Sequence, residues 1–113
     1  MRKTDRKIEN GIREALTEVC DVALKDVEGF KWLTHFVNYN AFPDSLSVVC
    51  VFDKQSDLSL ALVNHHDEFI RSLIGEKLRA LGVQIKDIGR QVSFDTEEDC
   101  DIENDGNWKA RFR

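Results

Sequence analysis

The segment LSVVCVF, residues 46–52, constrains the fold more than any other part of the chain, because nearly every position is apolar. Such a run, rich in valine, is typical of a strand covered on one face and sheltered on the other. The aromatic and β-branched segment FKWLTHFVNY, residues 30–39, precedes it, and the turn-forming sequence NAFPDS joins the two. We therefore expect an antiparallel β-hairpin.

Helical periodicity flanks this hairpin on both sides. Apolar residues recur every three or four positions from Ile8 to Ala23, which predicts an amphipathic helix over about residues 5–27. Gly29 can adopt the left-handed backbone conformation that often follows the C-terminal end of a helix. The same spacing from Leu62 to Leu81 predicts a second helical stretch. It is either two helices with a break or one helix that turns its face.

Alternation of apolar and polar residues from Ile88 to Phe94 predicts a third strand. The same alternation in WKARFR, residues 108–113, predicts an extra C-terminal strand. The order is therefore helix, strand, strand, helix or helix pair, strand and extra strand. We expect a single α+β domain over residues 1–113, a two-layer sandwich with the helices on one face of the sheet.

Size and composition place the chain among globular proteins. A mass of 13.0 kDa suits one hydrophobic core. The longest apolar runs are too short to span a bilayer, and the first residues lack the apolar stretch of a secretory signal, so we expect a cytoplasmic protein. The three cysteines, Cys20, Cys50 and Cys100, are far apart and odd in number, which favours reduced thiols.

Charge is distributed unevenly along the chain, whose formal net charge is −5. Residues 1–14 carry a local excess of two positive charges and residues 70–90 an excess of three, whereas residues 95–105 hold seven acids and no base. We expect the acidic segment 95–105 to be a solvated loop. The two basic segments are the candidates for contact with a polyanion.

Three segments resemble ribosome-binding factor A, a bacterial small-subunit maturation protein with a type II KH-like fold. They are IENGIREALTEVCDVALKD, DSLSVVCVF and FIRSLIGEKLRALGVQIKDIGRQVSFD, and they cover roughly residues 7–95. The resemblance implies a helix-strand-strand-helix(-helix)-strand domain that associates with the ribosome. Where that family has an Ala-x-Gly kink, this chain has HDE, residues 66–68. The chain also looks like short bacterial proteins labelled Fis-type regulators, which implies DNA binding.

The leading interpretation is a non-catalytic protein that binds RNA or a ribosomal particle through phosphate contacts. Its candidate binding residues are Arg71, Lys77, Arg79, Lys86 and Arg90, with Lys3, Arg6 and Lys7. The alternative for these bases is a solvated surface, paired with Glu76 and Asp87. The alternative functions are a protein-interaction or dimerisation module without nucleic acid, and a DNA-binding regulator, for which no separate recognition helix is predicted.

Other residues point less strongly to chemistry. His65 and His66 are neighbours on a predicted helix, so their side chains diverge by about 100° and cannot converge on one ion. Trp32 and Phe36 share a strand face and could stack bases, although such residues more often pack under helices. No catalytic set of residues is visible. We expect no metal, no cofactor and no enzymatic activity.

Overall fold

The segment around Leu46 forms the central strand of a three-stranded sheet in the computed structural model, which describes residues 2–113. That part of the chain contains six helices, three strands and a short 3-10 turn at Tyr39–Ala41. The helices and strands, in chain order, are α1 (Lys3–Asp26), β1 (Phe30–Phe36), β2 (Ser47–Phe52), α2 (Gln55–Val63), α3 (His66–Arg79), α4 (Ile88–Gln91), β3 (Val92–Thr96), α5 (Glu97–Asn104) and α6 (Trp108–Arg111).

The sheet has the strand order β1-β2-β3. β2 pairs antiparallel with β1, which confirms the predicted hairpin, and parallel with β3. Leu33 lies opposite Cys50, and Cys50 lies opposite Phe94, so these three side chains share one face of the sheet. The parallel pair requires a crossover connection, which α2 and α3 provide.

Helices α1 and α3 cover this face of the sheet. Their buried residues form one cluster with the strand residues, and it includes Ile12, Val19, Ile70, Ile74, Leu78, Val48, Cys50 and Val92. Apolar burial of this kind is the main favourable term in folding. The predicted two-layer α+β architecture is therefore confirmed.

The long helical stretch is two helices. α2 ends at Val63 and α3 begins at His66, and between them His65 has the left-handed backbone angle φ 60°. A residue with positive φ interrupts the helical path, so the direction of the chain changes there. Of the two possibilities left open by the sequence, the break is the one observed.

Gly29 closes the connection from α1 to β1 where two parts of the chain come very near each other. Its φ is +86°, and a Cβ at this position would lie 2.5 Å from the Cβ of Asp57. Its carbonyl accepts a hydrogen bond from the N–H of Asp53 at 2.9 Å. Only glycine satisfies both the backbone angle and the close approach.

The acidic segment 95–105 is not a loop. It contains the end of β3 and the helix α5, in which the Thr96 hydroxyl accepts a hydrogen bond from the N–H of Asp99 and Cys100 is buried. A threonine cap and acids in the first turn both stabilise a helix N-terminus. These two features explain why an acidic segment is ordered.

The predicted C-terminal strand is also wrong, because WKAR forms the short helix α6. Trp108 and Phe112 are four residues apart, a spacing that places them on one side of a helix as well as on one side of a strand. Asn107 caps the helix by accepting from the N–H of Ala110. Ala110, which a half-buried strand would have buried, is exposed.

α5 and α6 form a C-terminal cap on the face of the sheet opposite α1 and α3. Trp32 packs against Trp108 with ring centroids 4.9 Å apart, and Val51, which pairs with Trp32 in the sheet, is fully buried. The guanidinium of Arg111 donates to both carboxylate oxygens of Asp95, at 2.6 and 2.9 Å. The expectation that the helices lie on one face holds for the two-layer core and not for this cap.

The third strand begins later than the alternation predicts. Residues 88–91 form the single turn α4, and β3 starts at Val92. Gln91 is buried at this junction, where its side-chain amide donates to the carbonyls of Pro43 and Leu46, at 3.1 and 2.9 Å. The amide bonds tie the turn before β2 to the start of β3 and satisfy carbonyls that would otherwise be costly to bury.

The two helices over the sheet make a direct prediction for stability. Ile74 is fully buried between α1, α3 and the sheet, so Ile74→Ala is expected to lower the free energy of unfolding by about 2–5 kcal/mol. Val63 is 73% exposed, and Val63→Ala is expected to change it by less than about 0.5 kcal/mol. Urea denaturation of both variants checks the difference, and equal losses would contradict the packing.

The C-terminal cap can be tested separately, because the chain's two tryptophans, Trp32 on β1 and Trp108 on α6, pack together where the cap meets the sheet. Arg111→Ala removes the bonds to Asp95 and should cost about 2 kcal/mol. We expect a red-shifted tryptophan emission and a lower Tm. The control is Lys109→Ala, which removes an exposed base from the same helix. Unchanged fluorescence in Arg111→Ala would show that the ion pair does not hold the cap.

Candidate functional site

Three of the predicted binding residues line one groove between α3 and the segment of residues 83–88. The groove has a volume of about 390 Å³, and its lining includes Arg71, Arg79 and Lys86. Arg71 and Arg79 lie two helical turns apart, with Gly75 midway between them, so the floor of the groove there has no side chain. We call it the basic groove.

The chemistry of the basic groove suits an anion. Its lining contains three basic side chains and no acid, and Ser72 and Gln84 add neutral hydrogen-bonding groups. Arg79 and Lys86 are exposed, and neither has an ion pair with any residue from 2 to 113. Their charges are therefore available to a ligand.

Arg71, unlike Arg79 and Lys86, is fixed in place by contacts with other residues of the protein. Its Nη1 donates to Asp67 at 3.0 Å, its Nη2 donates to the carbonyl of Val92 at 3.3 Å, and its guanidinium lies 4.9 Å from the centroid of the Phe94 ring. A cation over an aromatic face is stabilised by the ring quadrupole. Arg71 forms a wall of the basic groove, and Asp67 compensates its charge.

Lys77 and Arg90 lie outside the basic groove. The Nζ of Lys77 is 3.2 Å from a carboxylate oxygen of Glu18, on the side of α3 that faces α1. The Nε of Arg90 is 3.2 Å from a carboxylate oxygen of Asp87, three residues earlier. The structure thus divides the five predicted bases, and only three of them line the groove.

Of the three predicted bases near the N-terminus, one lies next to the basic groove. Lys3, Arg6 and Lys7 are all exposed on the first turns of α1. Lys7 lines a neighbouring cavity of about 420 Å³ together with Val83, which also lines the basic groove. Lys7 is therefore adjacent to the groove, whereas Lys3 and Arg6 line neither cavity.

A second groove, of about 810 Å³, lies between α1 and β1, and we call it the α1–β1 groove. At one end the carboxylate of Glu9 accepts a hydrogen bond from the hydroxyl of Tyr39 at 2.6 Å and lies 3.1 Å from Nε2 of His35. The Nε of Arg13 is 3.4 Å from the same carboxylate. The sequence did not predict that these residues come together.

The network around Glu9 shifts two pKa values. Burial would raise the pKa of Glu9, but hydrogen bonds from Tyr39 and His35, with the charges of His35 and Arg13, hold it below 4.5. Burial and the bond to Glu9 raise the pKa of Tyr39. Glu9 therefore stays ionised and Tyr39 protonated near neutral pH, so this cluster acts as a satisfied structural network.

The thiols stay protonated as well. Burial raises the pKa of Cys20, which lines the α1–β1 groove, and burial raises the pKa of Cys50 to about 12. A thiol becomes a good nucleophile when its pKa is lowered, which is the opposite of what burial does here. All three cysteines are unpaired thiols.

Two further features are absent from residues 2–113, a cluster of metal ligands and a membrane-spanning helix. No three histidine, cysteine or acidic side chains in that range come together in a way that could hold a metal ion. No helix in the same range combines the length and the apolar composition needed to cross a bilayer. His35 contacts Glu9, and His65 is 2.9 Å from a carboxylate oxygen of Glu68.

The aromatic pair on β1 is largely covered by the C-terminal cap. The indole N–H of Trp32 donates to Glu97 at 2.5 Å, and its ring packs against Trp108 and Phe112. The ring centroids of Phe36 and Phe112 are 5.0 Å apart, and Phe36 remains 44% exposed. Trp32 is therefore part of the packing, as the structural alternative for this residue predicted.

Comparison with known proteins adds no further assignment. No family model, no curated protein and no solved structure matches this chain.

Sequence reasoning missed the neutral members of the basic groove, and it missed the Glu9 network. Ser72 is adjacent to Arg71 on α3, so helical spacing could have placed it beside the groove. Gln84 lies in an irregular segment, and its position depends on the turn at Gly82. Glu9, His35 and Tyr39 are too far apart in sequence for any spacing rule to connect them.

The lowered pKa of Glu9 predicts a dependence of stability on pH. Because its folded-state pKa lies below the unfolded-state value, its contribution is present above pH 4.5 and is lost as pH falls through the folded-state pKa. Glu9→Gln should therefore lower stability by about 1–2 kcal/mol at pH 7 and weaken the loss of stability on acidification. Urea denaturation across the acid range measures both effects.

The control for this experiment is Glu14→Gln, which neutralises an exposed glutamate on the same helix that makes no ion pair within residues 2–113. Its stability should follow that of the natural chain at every pH. Parallel stability curves for Glu9→Gln and the natural chain would contradict the role of Glu9.

Proposed function

We propose that this protein binds RNA or a ribosomal particle without catalysis, by holding phosphate groups in the basic groove. The observation that carries the proposal is the convergence of Arg79 and Lys86 on a groove whose lining, within the described residues 2–113, contains no acid and in which neither base has an ion pair. Arg71 forms the wall, and Ser72 and Gln84 can donate hydrogen bonds to phosphate oxygens. Lys7 at the adjoining cavity would lengthen the contact.

The resemblance to ribosome-binding factor A supports RNA as the partner. The order of α1, β1, β2, α2, α3 and β3 agrees with the type II KH-like arrangement that this resemblance implies. At the break between α2 and α3, however, the first turn of α3 carries Asp67 and Glu68, which repel phosphate. The proposal therefore places RNA at the other end of α3.

Binding of this kind has a limited strength and specificity. Phosphate contacts position a nucleic acid and carry no base information, and a net charge of −5 opposes polyanions elsewhere on the surface. We infer a salt-sensitive interaction confined to the basic groove. Shape recognition of a folded RNA or a particle would supply the remaining specificity.

Two alternatives have less support. A protein-interaction role is favoured by α2, which exposes Leu60, Leu62 and Val63. For DNA binding, α2 and α3 supply two consecutive helices, which is one of the two possibilities that the sequence left open. The N-terminal end of a recognition helix normally contacts the bases, and in α3 that end is acidic.

Co-sedimentation with ribosomal particles at about 50 mM and about 300 mM salt tests the proposal. We expect binding at the lower concentration and little at the higher. Arg79→Glu and Lys86→Glu should each weaken binding at low salt by roughly tenfold and reduce the dependence of log affinity on log salt by about 1.

The matched control is Lys109→Glu, which makes the same change of charge on α6, outside the basic groove. Its affinity should stay within about twofold of the natural chain, because long-range charge effects are screened. An equal loss in Lys109→Glu would show that only net charge matters. Failure of the natural chain to sediment with the particles at low salt would exclude the ribosome as the partner.

A further inference from the structure

β1 is an edge strand with one side unpaired. The sheet order β1-β2-β3 leaves its outer side without a strand partner among residues 2–113. The other edge strand, β3, differs because Arg71 donates to the carbonyl of Val92. Unprotected edges of this length are sites at which another strand can pair.

Helix α1 presents an exposed row of charged and polar residues beside this edge. Arg13, Thr17 and Asp21 are spaced four apart, line the α1–β1 groove with β1, and are all exposed. Residues at this spacing lie one above the other on a helix. The same row continues to Glu9 toward the N-terminus of α1 and to Lys25 toward its C-terminus.

The charges in this row are self-complementary. From Glu9 to Lys25 the charges are negative, positive, neutral, negative and positive. If a second row runs in the opposite direction with the two Thr17 residues aligned, every charge lies opposite one of the other sign. If a second α1 lies antiparallel against the first, Arg13 meets the partner subunit's Asp21 and Asp21 meets the partner subunit's Arg13. Glu9 is already engaged by His35 and Tyr39. Arg13 lies 3.4 Å from the same carboxylate, but its side chain is 70% exposed and can reach the partner subunit's Asp21, so the Arg13–Asp21 match carries the complementarity.

The same two-fold axis fits the strand. β1 runs opposite to α1, since it begins just after the end of α1 and His35, near the end of the strand, contacts Glu9 near the start of the helix. Thr17, at the middle of the row on α1, and Thr34 on β1 line the same groove. Antiparallel pairing of two β1 strands about Thr34 would place the half-exposed Phe36 opposite the partner subunit's Trp32.

From the unpaired edge of β1 and the charged row on α1, we propose that a second copy of this chain docks at the edge of β1. The two sheets would then join into one sheet of six strands, with the two α1 helices side by side. A two-fold interface requires that each surface complement itself, and the row on α1 does so. Backbone hydrogen bonds and the aromatic contact supply affinity, as in other cases of strand addition. The exposed Arg13–Asp21 pairs set the orientation.

Exchange of charges tests this interface. Sedimentation equilibrium of the full chain without nucleic acid, over a wide range of concentration, should show a monomer–dimer equilibrium. Asp21→Arg and Arg13→Asp each place like charges together twice, and we expect each to weaken the dimer by about tenfold. The double variant restores opposite charges and should return to within about threefold of the natural chain.

Two controls separate this result from other causes. Glu14→Arg makes the same acid-to-arginine change on α1 but outside the α1–β1 groove, and it should leave the dimer unchanged. Arg79→Glu should also leave it unchanged, which distinguishes the interface from the basic groove. Circular dichroism of each variant confirms that α1 is folded.

The outcomes decide the proposal. A natural chain that is monomeric at every concentration would overturn it. A dimer insensitive to Asp21→Arg would overturn it as well, and a double variant as weak as the single variants would exclude this arrangement of the two copies. The result is independent of RNA binding, because no nucleic acid is present in the experiment.

Discussion

The rest of the structure depends on the burial of β2 from both sides. Val48 and Cys50 face the cluster under α1 and α3, while Val51 faces the C-terminal cap, and all three are fully buried. Pairing on both edges satisfies the backbone of β2 with β1 and β3. Each remaining element serves this strand by covering a face, pairing an edge or making the crossover that a parallel neighbour requires.

Elements that follow one simple period could be predicted from the sequence, and elements that depend on distant partners could not. The stripe of α1 and the apolar run of β2 identify these elements alone. By contrast, the first N–H of α2, that of Gln55, donates to the carboxylate of Glu98, which lies 43 residues later. α6 was mistaken for a strand because its tryptophan and phenylalanine, four residues apart, fit both periods, and only their contact with Trp32 decides.

The candidate site shows the same limit. A count of charges gives the net charge of a segment but not the direction of each side chain. Lys77 and Arg79 are two positions apart, so they point about 200° apart on α3, one toward Glu18 and the other into the basic groove. The fold also turned Arg71 toward Asp67 and Phe94, contacts that require α3 and β3 to be packed together. Of the five bases predicted on this segment, three therefore line the basic groove and two do not.

Gly29 and Gly75 should differ in how readily they are substituted during evolution. Gly29 has a left-handed backbone and the side chain of Asp57 directly against it, so its replacement would require a coordinated change in two elements. At Gly75 a methyl group would meet Ile88 only at an ordinary contact distance of 3.8 Å. Homologous chains should therefore keep glycine at the first position and diverge at the second, where an added side chain would narrow the basic groove without disrupting the fold.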